Sequence, residues 1–334
     1  MTFQNRNVLV LGGAGFIGST LVRELIREKA NVIVLDNFSS GDIVNLKEVE
    51  DSIQIIKGDI RDSNIKDILK KNNVEYVFNL AAFPFIPECY DKPLEFFDVD
   101  ARGVLNIMLA SKEANVKRIL QYSTSEVYGT AKYVPMDEDH PTFPMSTYAV
   151  SKLAADRLCF TLHHEHNVPV IILRQFNVYG PRLTQPYVTP EIIKQLSKGN
   201  KVKIGNIEAR RDLTYVTDAV RGAIDLMKHD NAVGEVFNMG SGKDWSIKEL
   251  AEMIGALMGH KSIEIEIDKQ RLRPLDVQRL QADYTKINKL TGWKPTIGLE
   301  EGLKKTIDWF KENGSKWIWE KKFVEEEKMW KKVS

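Results

Sequence analysis

The stretch Val8 to Gly18, Val-Leu-Val-Leu-Gly-Gly-Ala-Gly-Phe-Ile-Gly, constrains everything around it. Four apolar residues suited to a buried parallel strand run straight into Gly12, Gly15 and Gly18, and a helix-forming segment, Ser19 to Lys29, follows. Gly12 permits a tight turn, Gly15 lets the backbone approach a pyrophosphate, and Gly18 allows helix and strand to pack closely. The free N–H groups and positive dipole end of that helix then meet the phosphates. A dinucleotide is the expected occupant, with Phe16 and Ile17 in its cradle beside the glycines.

The next strand tests this expectation. Asn31 to Leu35 is a second apolar run, and it ends in Asp36, about 20 residues past the fingerprint, where a carboxylate accepts hydrogen bonds from ribose hydroxyls. The same charge repels a 2′-phosphate, and no Arg or Lys follows until Lys47, so NAD is expected over NADP. The polar turn Asn37 to Gly41 runs beside the adenosine end and supplies Asn37 and Ser40 as contacts. Strand-like Ile53 to Lys57 leads into Gly58-Asp59-Ile60-Arg61. Asp59 either accepts from an adenine amino group or caps the next helix, Asn64 to Lys71. Ile60 and Leu80 complete the cofactor contacts, and Tyr76 to Leu80 reads as a strand whose end, Ala81-Ala82, leaves room for a ligand.

Phe83 to Pro93 holds three prolines and three aromatics and reads as an ordered irregular loop. A long helix from about Leu94 to Ala114 and a strand from Arg118 to Tyr122 follow. The alternation of strands and helices through Gln175 predicts an α/β fold, a Rossmann-type doubly wound parallel sheet with ligands at the strand carboxyl ends. Beyond Gly180-Pro181 the rhythm changes to helix Pro190 to Lys198, strand Lys201 to Ile204 and helix Thr217 to Lys228. We therefore expect a cofactor-binding domain over 1–180 and a smaller mixed lobe over 181–334, with part of the chain returning to the first.

Composition narrows the function classes. Basic and acidic side chains nearly cancel, leaving a formal charge of +1, without the basic face a nucleic-acid partner requires. Cys89 and Cys159 lack metal-ligand spacing, so a zinc site or disulfide framework is not expected and a reducing cytoplasm is. No leader is read at the start, and no apolar run approaches the ~20 residues of a membrane span. The tail Lys316 to Ser334 mixes charge with Trp317, Trp319, Phe323, Met329 and Trp330, and reads as an amphipathic helix docked on protein.

Two segments carry the chemistry. Tyr148-Ala-Val-Ser-Lys152 places a phenol and an ammonium on one face of a helix start. The cation, with the positive nicotinamide, is expected to lower the phenol's pKa from ~10 so that Tyr148 acts as a base. Ser123 to Gly129, Ser-Thr-Ser-Glu-Val-Tyr-Gly, follows a strand, so Thr124 is set to bond a substrate hydroxyl and Glu126 to move a proton at carbon.

Gly-Gly-Ala-Gly-Phe-Ile-Gly at 12–18, Ser-Thr-Ser-Glu-Val-Tyr-Gly at 123–129, Tyr148 with Lys152, and Asn-Val-Tyr-Gly-Pro-Arg at 177–182 resemble the extended short-chain dehydrogenases/reductases acting on nucleotide sugars, from residue 7 to about 310. The resemblance implies that Tyr148, helped by Lys152 and Thr124, removes the proton of the sugar 4-hydroxyl while NAD takes hydride from C4. It further implies a substrate site of Pro84, Ser125, Asn177, Arg182, Arg211 and Arg273, with Asn177, Arg211 and Arg273 holding a diphosphate, and a homodimer through helices near Leu94–Ala114 and Tyr148–His166.

Thr-Ser-Glu at 124–126 is similar to dehydratases and decarboxylases, whereas epimerases usually carry a small or hydroxyl residue at the Glu126 position. Many hexose dehydratases precede that glutamate with an aspartate acid, and this chain has Ser125. Leu183 to Val188 lacks the pattern of decarboxylases. Segments 84–90, 128–138 and 273–280 resemble dehydratases of UDP- or GDP-linked N-acetylated amino sugars. The expected reaction is a nucleotide-sugar 4,6-dehydration, with UDP-N-acetylglucosamine the leading substrate and a UDP-sugar 4-epimerase the alternative, ahead of a UDP-glucuronate decarboxylase.

Overall fold

The computed structural model describes residues 1–182 and 185–314, so the expected tail helix lies outside the described residues. In chain order the first half holds β1 (Asn7–Leu11), α1 (Phe16–Arg27), β2 (Asn31–Asp36), β3 (Ile53–Lys57), α2 (Ile65–Lys71) and β4 (Tyr76–Asn79). Short α3 (Ile86–Cys89) and α4 (Pro93–Phe97) follow, then α5 (Val104–Glu113), β5 (Arg118–Thr124), α6 (Thr147–His166) and β6 (Val170–Gln175). The second half holds β7 (Asn177–Tyr179), α7 (Val188–Leu196), β8 (Lys201–Ile204), β9 (Arg210–Tyr215), α8 (Val216–Lys228) and β10 (Val236–Met239). It closes with β11 (Asp244–Ser246), α9 (Ile247–Leu257), β12 (Glu264–Ile267), α10 (Thr285–Thr291) and α11 (Leu299–Asn313).

Seven strands form one sheet in the order β10-β6-β5-β4-β1-β2-β3, every neighbouring pair parallel. Its central strands are mostly apolar because both faces are covered. Val8, Val10, Val32 and Val34 face one way, into a core with Leu21 and Leu25 of α1 and Val220 and Ala223 of α8. Leu9, Leu11, Ile33 and Leu35 face the other way, onto Ile65, Ile107 and Cys159 of α2, α5 and α6. This is the expected doubly wound α/β sheet, with the strand order reversing between β1 and β4.

The sheet also recruits β10 and the packing of α8 from well past residue 180. The smaller lobe pairs β11-β9-β7 and β12-β8 around a separate core containing Ile192, Leu250, Ile254, Leu303 and Ile307. Among the described residues no helix is long and apolar enough to cross a membrane.

Boundaries differ from the sequence reading at informative places. Helix α1 starts at Phe16 rather than Ser19, with Gly15 as its N-cap, because the glycine turn feeds the helix directly. Strand β5 runs to Thr124, two residues further than expected. The long helix expected over Leu94–Ala114 is split by a π-helical turn, Asp98–Gly103, joining α4 to α5. The helix expected to begin at Pro190 begins at Val188.

Candidate active site

One cavity of about 420 Å³ follows the carboxyl ends of the strands and continues against the smaller lobe. At its first end the glycine turn has no room for larger residues. Gly12 adopts φ +76°, and a Cβ there would lie 2.8 Å from Ala81 N. A Cβ on Gly18 would lie 2.2 Å from Gly12 O. The first-turn N–H groups of α1, which no intrahelical carbonyl can satisfy, border the cavity at Phe16, Ile17 and Gly18. Asp36 braces this turn: its carboxylate accepts from Ala14 N at 2.9 Å and from Phe38 N at 2.8 Å.

Asn37, Ser40, Asp59 and Ile60 line the same end, with Leu80, Ala81 and Ala82 beneath. Asp59 accepts from Asn37 Nδ2 at 2.8 Å and from the Arg61 guanidinium, whose hydrogen bonds hold the Asp59 carboxyl down at about 2. It does not cap α2, whose N-cap is Asn64.

The middle of the cavity is built by β5 and α6. Ser146 caps α6 by accepting from Ala149 N at 3.1 Å, which fixes the first turns carrying Tyr148 and Lys152. Lys152 is buried and donates from Nζ to Tyr122 O at 2.7 Å. Thr124 Oγ1 accepts from Glu126 N at 3.2 Å and bonds the Tyr148 phenol. Ser125 and Glu126 are buried in the wall at 2% and 8% exposure.

The expectation that Lys152 lowers the Tyr148 phenol needs correction. Burial pushes that phenol well above its ordinary value, Asp100, Tyr187 and Glu126 push the same way, and among these influences Thr124 alone opposes them. Burial also lowers the Lys152 ammonium, against the field of Asp100.

At the far end the cavity is lined by Pro84, Asn177, Arg211 and Arg273. Tyr187 donates to Pro84 O at 3.2 Å and so ties the 83–90 loop to the smaller lobe. Arg211 and Arg273 share Asp276, at 3.6 and 3.9 Å, and burial lowers the Arg211 guanidinium. Asp212 is not an arginine partner. It accepts from Ser241, Gly242 and Ala282 and fixes those turns, and burial raises its carboxyl to about 6.

Arg182 is the one predicted site residue that does not line the cavity. Its guanidinium pairs with Glu48 at 3.0 Å and lies over the Trp309 ring, and its backbone is left-handed at φ +67°.

Residues 9–306 match the family model described as GDP-mannose 4,6 dehydratase. The chain belongs to the extended short-chain dehydrogenases/reductases that act on nucleotide sugars. It is an enzyme of this family's nucleotide-sugar dehydratase and epimerase type.

It is 33% identical to the UDP-N-acetyl-alpha-D-glucosaminuronate decarboxylase of Bacillus cytotoxicus, over 92% of this chain and 98% of that one. It superposes on the UDP-glucose 4-epimerase of Thermotoga maritima, solved with UDP-glucose, at TM-score 0.85 and 32% identity, covering 92% and 99% of the two chains. The dTDP-glucose 4,6-dehydratase of Streptomyces venezuelae, solved with NAD, superposes at TM-score 0.87 and 28% identity, covering 93% and 99%. Dehydration, epimerisation and decarboxylation are thus all represented at similar distance.

Sequence reasoning missed Asp100 and Tyr187. Asp100 is a fully buried carboxylate behind Lys152, and its signal in the sequence was an acid between Val99 and Ala101 on an otherwise packed helix. Tyr187 carried no signal beyond its aromatic character.

Proposed function

We propose that this enzyme is a nucleotide-sugar 4,6-dehydratase working with bound NAD, with UDP-N-acetylglucosamine as its leading substrate. The observation that carries the reading is Glu126, a buried carboxylate in the wall of the cavity that also holds Thr124, Tyr148 and Lys152. An epimerase has no proton to move at C5, and a dehydratase must.

The cavity's first end fits NAD. The glycine turn clears space for a pyrophosphate at the α1 N-terminus, and no Arg or Lys lines the cavity beside Asp36 to receive a 2′-phosphate. Gly12, Gly15, Phe16, Ile17, Gly18, Asp36 and Asp59 would hold it. When bound, NAD would accept the hydride lost from C4 and supply it again at C6.

The chain's own residues do the rest. Tyr148 and Thr124 hold the 4-hydroxyl, and Tyr148 takes its proton. The resulting C4 ketone acidifies C5–H, which Glu126 removes, and the C6 hydroxyl leaves as water with a proton from Glu126. A proton from solvent is added at C5 as the sugar is reduced at C6, and Tyr148 returns the O4 proton to solvent. Arg211 and Arg273 suit a diphosphate, because a guanidinium fork bonds two oxygens at once. Asn177, whose side-chain Oδ1 has no partner among the described residues, faces the same end.

The division of labour follows the cavity. Residues 1–180 bind the cofactor and carry the sugar-handling groups, and 181–334 adds Arg211 and Arg273 for the diphosphate, with α8 and β10 returning to the first sheet. Cys89 and Cys159 are buried and unbridged, in keeping with a cytoplasmic enzyme. Leu94 and Phe97 on α4 and Val150 on α6 are exposed at 86%, 50% and 47%, which supports a homodimer through these helices.

The second reading, a UDP-sugar 4-epimerase, draws on Ser125, which cannot replace a carboxylic acid at the leaving hydroxyl. Glu126→Gln separates the two. A dehydratase loses roughly 10²- to 10⁴-fold in product formation, the contribution of one acid–base group, while reduction of the bound NAD on adding substrate survives. Unchanged product formation would exclude dehydration through Glu126.

A further inference from the structure

We propose that Asp100 is a positioning residue that acts by its charge: from behind the cavity wall it sets the protonation of Lys152 and Tyr148, and with it the pH range in which they work. The inference rests on the reading of Tyr148 and Lys152 as the proton-handling pair.

The π-helical turn Asp98–Gly103 packs on α6 and directs Asp100 inward, where it is 0% exposed. One carboxylate oxygen, Oδ1, accepts from Phe83 N at 3.0 Å and so secures the start of the cavity loop. The other, Oδ2, is buried without a partner among the described residues. A carboxylate kept only to anchor a loop needs one accepting oxygen, and burying the second is costly.

The groups that face Asp100 are few. From α6, Lys152 is the cation whose field reaches it, and the Tyr148 phenol responds to Asp100 ahead of any other charge. Asp156 and Cys159, further along α6, also act on Lys152, but Asp156 is already held by Arg174 at 2.9 Å and by Ser123 at 2.9 Å. From the 83–90 loop the contact is the uncharged Phe83 N–H. On its own turn, Asp98 points outward and accepts from both Arg102 and Arg61. From β5, the buried Tyr122 hydroxyl is uncharged. Burial holds the Asp100 carboxyl up at about 7 despite Lys152, so its charge changes near neutrality.

The signs follow from Coulomb's law. An ionised Asp100 favours the Lys152 ammonium and disfavours the Tyr148 phenolate, so it raises the pKa of both. Activity needs Tyr148 deprotonated and Lys152 protonated, so the two limbs of the pH profile follow the pKa values of this pair. Removing the charge while keeping the shape should move both limbs toward lower pH.

The test compares wild type, Asp100→Asn and Asp100→Glu, following reduction of bound NAD by UDP-N-acetylglucosamine across pH. Asp100→Asn keeps an acceptor for Phe83 N, and both limbs are expected to fall by roughly one to three pH units, as for loss of a nearby charge. Asp100→Glu should restore them toward wild type. A uniform drop in rate with both limbs fixed, or limbs moving in opposite directions, overturns the proposal and leaves Asp100 a loop anchor.

Tyr148→Phe run alongside tests the underlying reading. If it reduces NAD as fast as wild type, the pair is wrongly identified, whatever Asp100 does. Infrared pH-difference spectra of wild type and Asp100→Asn without substrate decide independently of turnover. A carboxylic-acid band that appears as pH falls in wild type and is missing from Asp100→Asn is expected, and a band of equal size in both, as from buried Asp212, contradicts the proposal.

Discussion

Gly18 has no space for a methyl group, since its Cβ would stand 2.2 Å from Gly12 O, a backbone atom with nowhere to move. Gly18→Ala should therefore cost ~1–3 kcal/mol of stability from overpacking. It should also yield protein purified without bound NAD. Denaturant titration and the absorbance of the extracted nucleotide check both, and wild-type values would show that the turn is not the cradle. At this scale the sequence was readable where chemistry repeats locally: every expected cofactor contact, and Thr124, Glu126, Tyr148 and Lys152, line one cavity. It was unreadable where a side chain's direction depends on distant backbone. Arg182 follows a left-handed backbone toward Glu48, and the surroundings of Tyr148 are set by Asp100 and Tyr187, 48 residues before and 39 after it.

Elements were legible where apolar residues run together or alternate regularly. Most strands of the parallel sheet carry apolar runs because each packs between two cores, and half-exposed Lys201–Ile204 was placed to the residue by its alternation. The three-residue strands β7 and β11 left no periodic trace, being too short to show alternation. The π turn escaped for a related reason. An inserted residue shifts every later side chain around the helix, so a 3.6-residue pattern blurs over Asp98–Gly103 and Asp100 reads as a surface acid. That element then turns out to carry Asp100, whose charge acts on the proton-handling pair.

For the whole molecule, the sheet supplies the cofactor end of the cavity and the smaller lobe supplies Arg211 and Arg273, so substrate choice falls to the less legible half. Exposed Leu94 and Phe97, three residues apart on α4, lie on helices that pack on α6. Leu94→Lys should convert a dimer to a monomer in sedimentation velocity without loss of the fold, and an unchanged wild-type monomer would remove the homodimer from the proposal.

The reaction itself is decided by one incubation of the purified protein with UDP-N-acetylglucosamine in D₂O, the sugar followed by NMR and mass spectrometry. A 4,6-dehydratase using Glu126 gives a product that has lost water and carries deuterium at C5. A product of unchanged composition, inverted at C4 and free of deuterium at C5, would contradict dehydration and establish the epimerase.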